Sequence, residues 1–214
     1  MQQSDLLEFV RLGVATVYEA SGREGLIDLP LQQIVPGSRV AGLARTVRCA
    51  QGDNLMMHAV LAVVQPGEVL VLTMPEAAPV ALVGDLLATQ ALERGVAGML
   101  IDAAVRDSEE LRDLGLPIWA RFIRVRGATR TTPGELNAPV TVGGSSIRSG
   151  DLIVMDADGA VVVARERVAV VLEASLAREA REASLREQFK AGQLSIDVYG
   201  LREQLQSHLE EENP

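Results

Sequence analysis

Cysteine, histidine and lysine are almost missing from this 214-residue chain. The single cysteine, Cys49, excludes a disulfide framework within the chain. The two histidines are His58 and His208, and the second sits in a polar tail. A zinc site built on two or three imidazoles would need both, which argues against one. The one lysine, Lys190, lies in the charged run AREASLREQFKAG. A Schiff-base lysine needs desolvation or a cationic neighbour in a pocket, and an exposed charged helix offers neither.

Other shortages set further bounds. Aromatic residues make up 3% of the chain, so valine, leucine, alanine and isoleucine must fill the core. The opening segment MQQSDLLEFV has no basic stretch followed by an apolar run, so no signal peptide is expected. The apolar stretches are too short to span a bilayer. A cytoplasmic protein without a membrane partner is the expectation. The net charge of −9 repels phosphate backbones, so no nucleic-acid partner is expected.

What is present is an α/β pattern. Residues 5–20 carry apolar positions at helical spacing and divide at Gly13. VAGLARTVRC (40–49), EVLVLTM (68–74) and VAGMLID (96–102) read as strands. GDNLMMHAVLAVV (52–64) reads as a turn and a helix with Asp53 or Asn54 as N-cap. Gly84 and Asp85 precede a further helix that stops at Gly95. SEELRDLG is a short helix, PIWARFIRV a strand, and residues 138–166 supply several more strands. The tail is helical, charged and broken at Gly192 and Gly200. One α/β domain over residues 1–168 is expected, with a C-terminal helical arm over 169–214 packing on the domain or on a neighbouring subunit.

Five places can carry chemistry. At Gly84-Asp85-Leu86-Leu87 a strand gives way to a helix, whose open N–H groups suit an anion. Asp85 can equally cap its own helix. Arg106-Asp107 follows an apolar strand, where ligands of open α/β sheets sit. The guanidinium can grip a carboxylate with two hydrogen bonds, and the aspartate can hold a hard cation such as Mg²⁺. Against that, Asp107 with Glu110 resembles a capping box. Asn54 can donate to a ligand or form a turn. His58, in an apolar stretch, reads as a hydrogen-bonded core residue. Arg121, Arg124, Arg126 and Arg130 can bind an anion or make ion pairs, with Arg124 and Arg126 on one face of a strand. Glu179, Glu182 and Glu187, interleaved with arginines, read as a solvated helix face.

The stretches LGVATVYEASGREGLIDLP, PGSRVAGLARTV, GDNLMMHAVLAVVQPGEVLVL, GDLLATQALERGVAGMLIDAAVRDSEELRDLGLPIWAR and GDLIVMDADGAVVV together resemble the 4-hydroxy-4-methyl-2-oxoglutarate and 4-carboxy-4-hydroxy-2-oxoadipate aldolase group. That group belongs to the superfamily of the regulator of ribonuclease activity A. The resemblance covers roughly residues 8–200, and the tail resembles the aldolase branch. It implies a swivelling β/β/α-type sandwich assembled as a homotrimer or homohexamer. It implies Mg²⁺ or Mn²⁺ on Asp107, a keto acid substrate against Arg106, and backbone amides around Gly84, Leu86 and Leu87 holding the pyruvate end. Asp85 matches an acid that handles the catalytic water or proton. Asn54 and Arg130 match positions near the substrate, and Glu182 an arm glutamate that reaches the neighbouring subunit's metal waters. Ala103, Phe122 and Arg130 depart from the usual glycine, glycine and lysine. The implied activity is pyruvate release from 4-hydroxy-2-oxo acids, with oxaloacetate decarboxylation beside it. The alternative is a non-enzymatic binding protein like the ribonuclease regulators.

Overall fold

In a computed structural model, residues 2–212 of the chain are described. The chain divides between Ser175 and Leu176 into two compact units. In the first unit, helix α1 (Gln3–Ala20) leads to strands β1 (Gln32–Gln33) and β2 (Val40–Arg48), then α2 (Leu55–Leu61) and β3 (Glu68–Thr73). Next come β4 (Ala81–Val83), α3 (Asp85–Glu93), β5 (Gly98–Val105), α4 (Ser108–Leu114) and β6 (Ile118–Ile123). Strands β7 (Glu135–Leu136), β8 (Val140–Val142), β9 (Ser145–Ile147), β10 (Leu152–Asp156) and β11 (Gly159–Val163) complete the sheets. Helix α5 (Val168–Lys190) begins in this unit, and α6 (Ser195–Val198) and α7 (Arg202–Glu212) lie in the second.

The large sheet runs β1-β6-β5-β3-β2-β10-β11, with β4 beside β5 and β7 beside β2. Its middle is parallel: β2 with β3, β3 with β5, and β5 with β6. Each crossover carries a helix, the usual way to return a chain to a parallel edge. Strands β10, β11 and β1 join antiparallel. The α/β fold with a C-terminal helical segment expected from the sequence is the fold adopted.

Strand periodicity explains the layers. On β3, Leu70 and Leu72 enter one core cluster while Val69 and Val71 enter another on the opposite face. On β5, Met99, Ile101, Ala103 and Val105 join the first cluster and Leu100 the second. Both faces are therefore covered, as for other parallel sheets, and the strands read as continuous apolar runs. A third cluster seats α1 on β10 and β11 through Phe9, Val14 and Val17. That helix breaks at Gly13 (φ 79°), as its sequence suggested, and the buried Asp156 carboxylate accepts the Val14 N–H at 2.9 Å.

Some expectations are corrected. Strand β6 ends at Ile123, so Arg124 and Arg126 are not on a strand and share no strand face. The strand expected to end before Gly84 is the short β4. Its residues Ala81, Leu82 and Val83 are all buried. None of the described helices is long and apolar enough to cross a membrane.

The central packing can be checked at Leu100, fully buried on β5. Leu100→Ala should cost about 2–5 kcal/mol of stability, since a cavity adds to the lost burial. Urea unfolding should show a lower midpoint at unchanged slope; an unchanged midpoint would contradict this account of the core.

Candidate active site

The site forms where two parallel strands end side by side. Val83 of β4 pairs with Val105 of β5, and the Arg106 N–H donates to the Val83 carbonyl at 3.1 Å. The next residues, Gly84 and Arg106-Asp107, therefore meet at the carboxyl edge of the sheet. Ligands of open α/β sheets bind outside such edges.

Asp107 stands before α4 with φ 56° and ψ 45°, a left-handed conformation. This costs a non-glycine residue roughly 1–2 kcal/mol, and such residues cluster at functional sites. The expected capping box is not formed, because the Asp107 side chain makes no cap hydrogen bond to its own helix. Its Oδ2 instead accepts the Asp85 N–H at 3.2 Å and lies 3.4 Å from Arg106 Nε. Gly84 makes that approach possible. A Cβ there would lie 2.4 Å from Asp107 Oδ2 and 3.1 Å from Arg106 Nε. The requirement is space, since the Gly84 backbone is simply extended.

Asp85 does not cap α3 with its side chain; Gly84 occupies the N-cap position. The Ala88 N–H returns to the Gly84 carbonyl at 3.1 Å, and the Leu86 and Leu87 N–H groups stay open, as in the first turn of a helix. These donors lie at the positive end of the helix dipole.

A cavity of about 570 Å³ opens over this edge. Of the residues singled out from the sequence, Asn54, Gly84, Asp85, Leu86, Leu87, Arg106 and Arg130 line it. Asp107 is not itself a lining residue; it lies behind the rim, bonded to the lining residues Asp85 and Arg106. Asn54 holds the wall, donating from Nδ2 to the Leu82 carbonyl at 3.0 Å. Glu182 belongs to the second unit, where it pairs with Arg178 at 2.8 Å and Arg186 at 3.5 Å. Arg121 is engaged by Asp102 at 2.9 Å.

His58 corrects the sequence reading. It is exposed and lines the cavity with Gln90, Thr129 and Thr131. The signal was available: Asn54 and His58 are four residues apart, so they share a helix face.

Asp53, the alternative N-cap, is fully buried. Its Oδ1 accepts the Leu55 N–H at 2.8 Å. Its Oδ2 accepts the Thr129 hydroxyl at 2.7 Å and the Thr131 and Thr132 N–H groups at 2.7 and 3.1 Å. Burial pushes this carboxyl up, but the donors from Thr131, Leu55, Thr129 and Thr132 outweigh it and hold it well below the usual carboxylate range. Cys49 responds in the opposite sense. Burial first, then the Asp53 charge, push its thiol up to about 12, so it is no thiolate nucleophile near neutral pH.

The donor set discriminates among metals. No group of three or more His, Cys, Asp or Glu side chains converges among the described residues, which does not fit zinc. One half-exposed carboxylate with room for water fits Mg²⁺ or Mn²⁺, since Mg²⁺ keeps several waters and uses one or two carboxylates.

Fold and site together define an α/β protein with a helix start, an arginine and, bonded to both, a partly exposed carboxylate at the edge of one cleft. The family model described as RraA-like, Aldolase/RraA, matches residues 14–162, and the chain belongs to that family. A protein of Halalkalibacterium halodurans named "Putative 4-hydroxy-4-methyl-2-oxoglutarate aldolase" is 30% identical over 188 residues, covering 87% of this chain and 90% of that protein. The structure of an uncharacterized protein from Pseudomonas syringae pv. tomato superposes with a TM-score of 0.79 at 28% identity, over 91% of this chain and 96% of that one. Streptomyces coelicolor RraAS2, described as an unusual member of the RNase ES inhibitor RraA protein family, gives a TM-score of 0.77 at 29% identity, over 87% and 97% of the two chains.

The Asp53 carboxylate predicts a pH effect. Its proton is held more weakly in the folded protein than in the unfolded chain, so the ionised group favours folding. That contribution is complete above the ordinary aspartate value of 3.8 and is lost as the pH falls below it toward the folded value. Thermal unfolding should show the chain more stable than its Asp53→Asn variant near neutral pH, with the gap narrowing below about pH 4. A gap constant through the acid range would show that the carboxylate charge is not what the loop donors stabilise.

Proposed function

We propose that this chain is a divalent-metal-dependent carbon–carbon lyase. Its substrates are 4-hydroxy-2-oxo acids such as 4-hydroxy-4-methyl-2-oxoglutarate or 4-carboxy-4-hydroxy-2-oxoadipate, cleaved to pyruvate and a second oxo acid. Oxaloacetate decarboxylation accompanies this activity. The observation that carries the reading is the contact of Gly84 with Asp107 and Arg106 beside the open Leu86 and Leu87 amides.

Asp107 would hold Mg²⁺ or Mn²⁺, with water filling the remaining positions. When bound, the cation supplies Lewis-acid polarisation of the keto group and neutralises charge that develops on it. Arg106 grips the keto acid through its planar guanidinium. The Leu86 and Leu87 N–H groups hold the pyruvate carboxylate at the helix start. Asp85 takes the C4 hydroxyl proton through water. The C4–O bond becomes a carbonyl, the C3–C4 pair passes into the pyruvate enolate, and Arg106 stabilises the growing negative charge. Protonation at C3 then gives pyruvate. With oxaloacetate, CO₂ leaves and the same enolate remains. Asn54, His58 and Arg130 line the cleft where the rest of the substrate lies.

We further propose a homotrimer or homohexamer in which the arm, with Glu182, reaches a neighbouring subunit's site. Exposed Phe189, Leu194, Tyr199, Leu201 and Leu205 support a role for the arm in contacts. The kinship with RraAS2 keeps a second reading in play, that of a non-enzymatic ribonuclease-binding protein.

Pyruvate release from oxaloacetate separates the two. With Mg²⁺ the chain should exceed the spontaneous and metal-only background, and EDTA or Asp107→Ala should abolish the excess. No excess from folded, metal-supplied protein would favour the binding-protein reading. Arg106→Ala should lower turnover by about 10²–10³-fold, as for other donors to a developing oxyanion; near-normal turnover would remove Arg106 from this role.

A further inference from the structure

A buried carboxylate outside the proposed chemistry organises one wall of the cleft. Past the Arg124 N–H, which donates to the Val105 carbonyl at 2.9 Å, the segment between β6 and β7 has no continuous ladder and is attached at two further places. At the first, the Ala81 N–H donates to the Arg126 carbonyl at 2.7 Å and the Ala128 N–H to the Ala81 carbonyl at 3.3 Å. This attachment sets Gly127 against Arg106, where a Cβ would come within 2.9 Å of Nη1. At the second, the Asn54 N–H donates to the Thr129 carbonyl at 2.8 Å and the Thr129 N–H to the Gly52 carbonyl at 2.9 Å. The Asp53 carboxylate then gathers Thr129, Thr131 and Thr132 onto one oxygen.

Arg130 is the residue in the middle of that wrap. Its neighbours on both sides are turned toward Asp53, while Arg130 itself is exposed and lines the cavity. No salt bridge to Asp53 is found among the described residues. A charge buried without a counter-ion is costly unless fully hydrogen-bonded, and here most of its donors come from this one loop. Loop closure and ionisation of Asp53 therefore support each other.

We propose that Asp53 is a positioning residue that aims Arg130 at the part of the substrate remote from Arg106. It acts through the 129–132 loop and touches no reacting atom. The Ala81 attachment holds the Arg106 half of the loop independently, so loss of the Asp53 clamp should affect substrate binding more than turnover. The kinetic consequence rests on the lyase reading above; the loop clamp itself does not.

Two measurements test it. Native-state hydrogen exchange should show the Thr131 and Thr132 amides exchanging at least about tenfold faster in Asp53→Asn, with the β5 amides unchanged. Equal exchange in both proteins would overturn the clamp, whether or not the chain proves to be a lyase. In steady-state kinetics with oxaloacetate and Mg²⁺, Asp53→Asn should raise KM about tenfold and leave kcat within about threefold. Arg130→Ala should do the same, and the double variant should exceed the larger single effect by no more than about twofold, because both remove one interaction. Additive effects, or a loss confined to kcat, would overturn the positioning role. Thr129→Val, which removes one of the donors, should shift KM in the same direction and serves if Asp53→Asn does not fold.

Discussion

The contact between the Asp107 carboxylate and the Asp85 N–H, with Gly84 beneath it, is the constraint around which the site is arranged. It joins the end of β5 to the start of α3. It also holds Asp107 in a left-handed conformation that the residue would not choose alone. The carboxylate thus spends one oxygen on a helix start and stays half-exposed beside the cleft. An acid placed this way can bind a cation without being surrounded by other acids.

Around that contact the cleft shows a division of labour by element. The carboxyl ends of β4 and β5 supply Gly84 and Arg106, the start of α3 supplies open amides, and α2 with its N-cap brings His58 and Asn54. The remaining wall is a loop without regular structure, and loops need attachment to be precise. Here the attachments are Ala81 at one point and buried Asp53 at another. In the proposed reaction a rigid sheet edge would carry the groups nearest the bond-breaking step, and a clamped loop those facing the variable part of the substrate. Membership of the RraA-like family is compatible with this plan, since one scaffold can host different functions through its site residues.

Much of this was legible in the chain itself. Apolar runs with turn punctuation marked β2, β3, β5 and the helices after Asn54 and Gly84, because buried parallel strands and glycine-bounded helices leave strong local signals. The kink at Gly13 and the breaks at Gly192 and Gly200 were equally local. The scarcity of lysine, histidine and cysteine narrowed the chemistry before any geometry was known.

Other features depended on contacts between distant residues. Strand β4 spans only Ala81–Val83, and its place is set by β5 on one side and by the bridge from Ala81 to Gly127 on the other. The Arg124–Arg126 segment looks like more strand, yet the strand stops at Ile123, and the cleft wall is formed further on by Ala128 to Thr131. His58 reads as core from its apolar neighbours, but the helix face it shares with Asn54 is the one that meets the cavity. Asp53 and Asp107 both read as caps. The first keeps one oxygen for the Leu55 N–H at the start of α2 and gives the other to donors more than seventy residues away, while a helix start twenty-two residues back claims the second. Composition and periodicity determined which elements this chain builds and which chemistries it lacks the residues to perform. The tertiary fold alone decided which side chains share the cleft, because these carboxylates also take partners from segments that only strand pairing brings near.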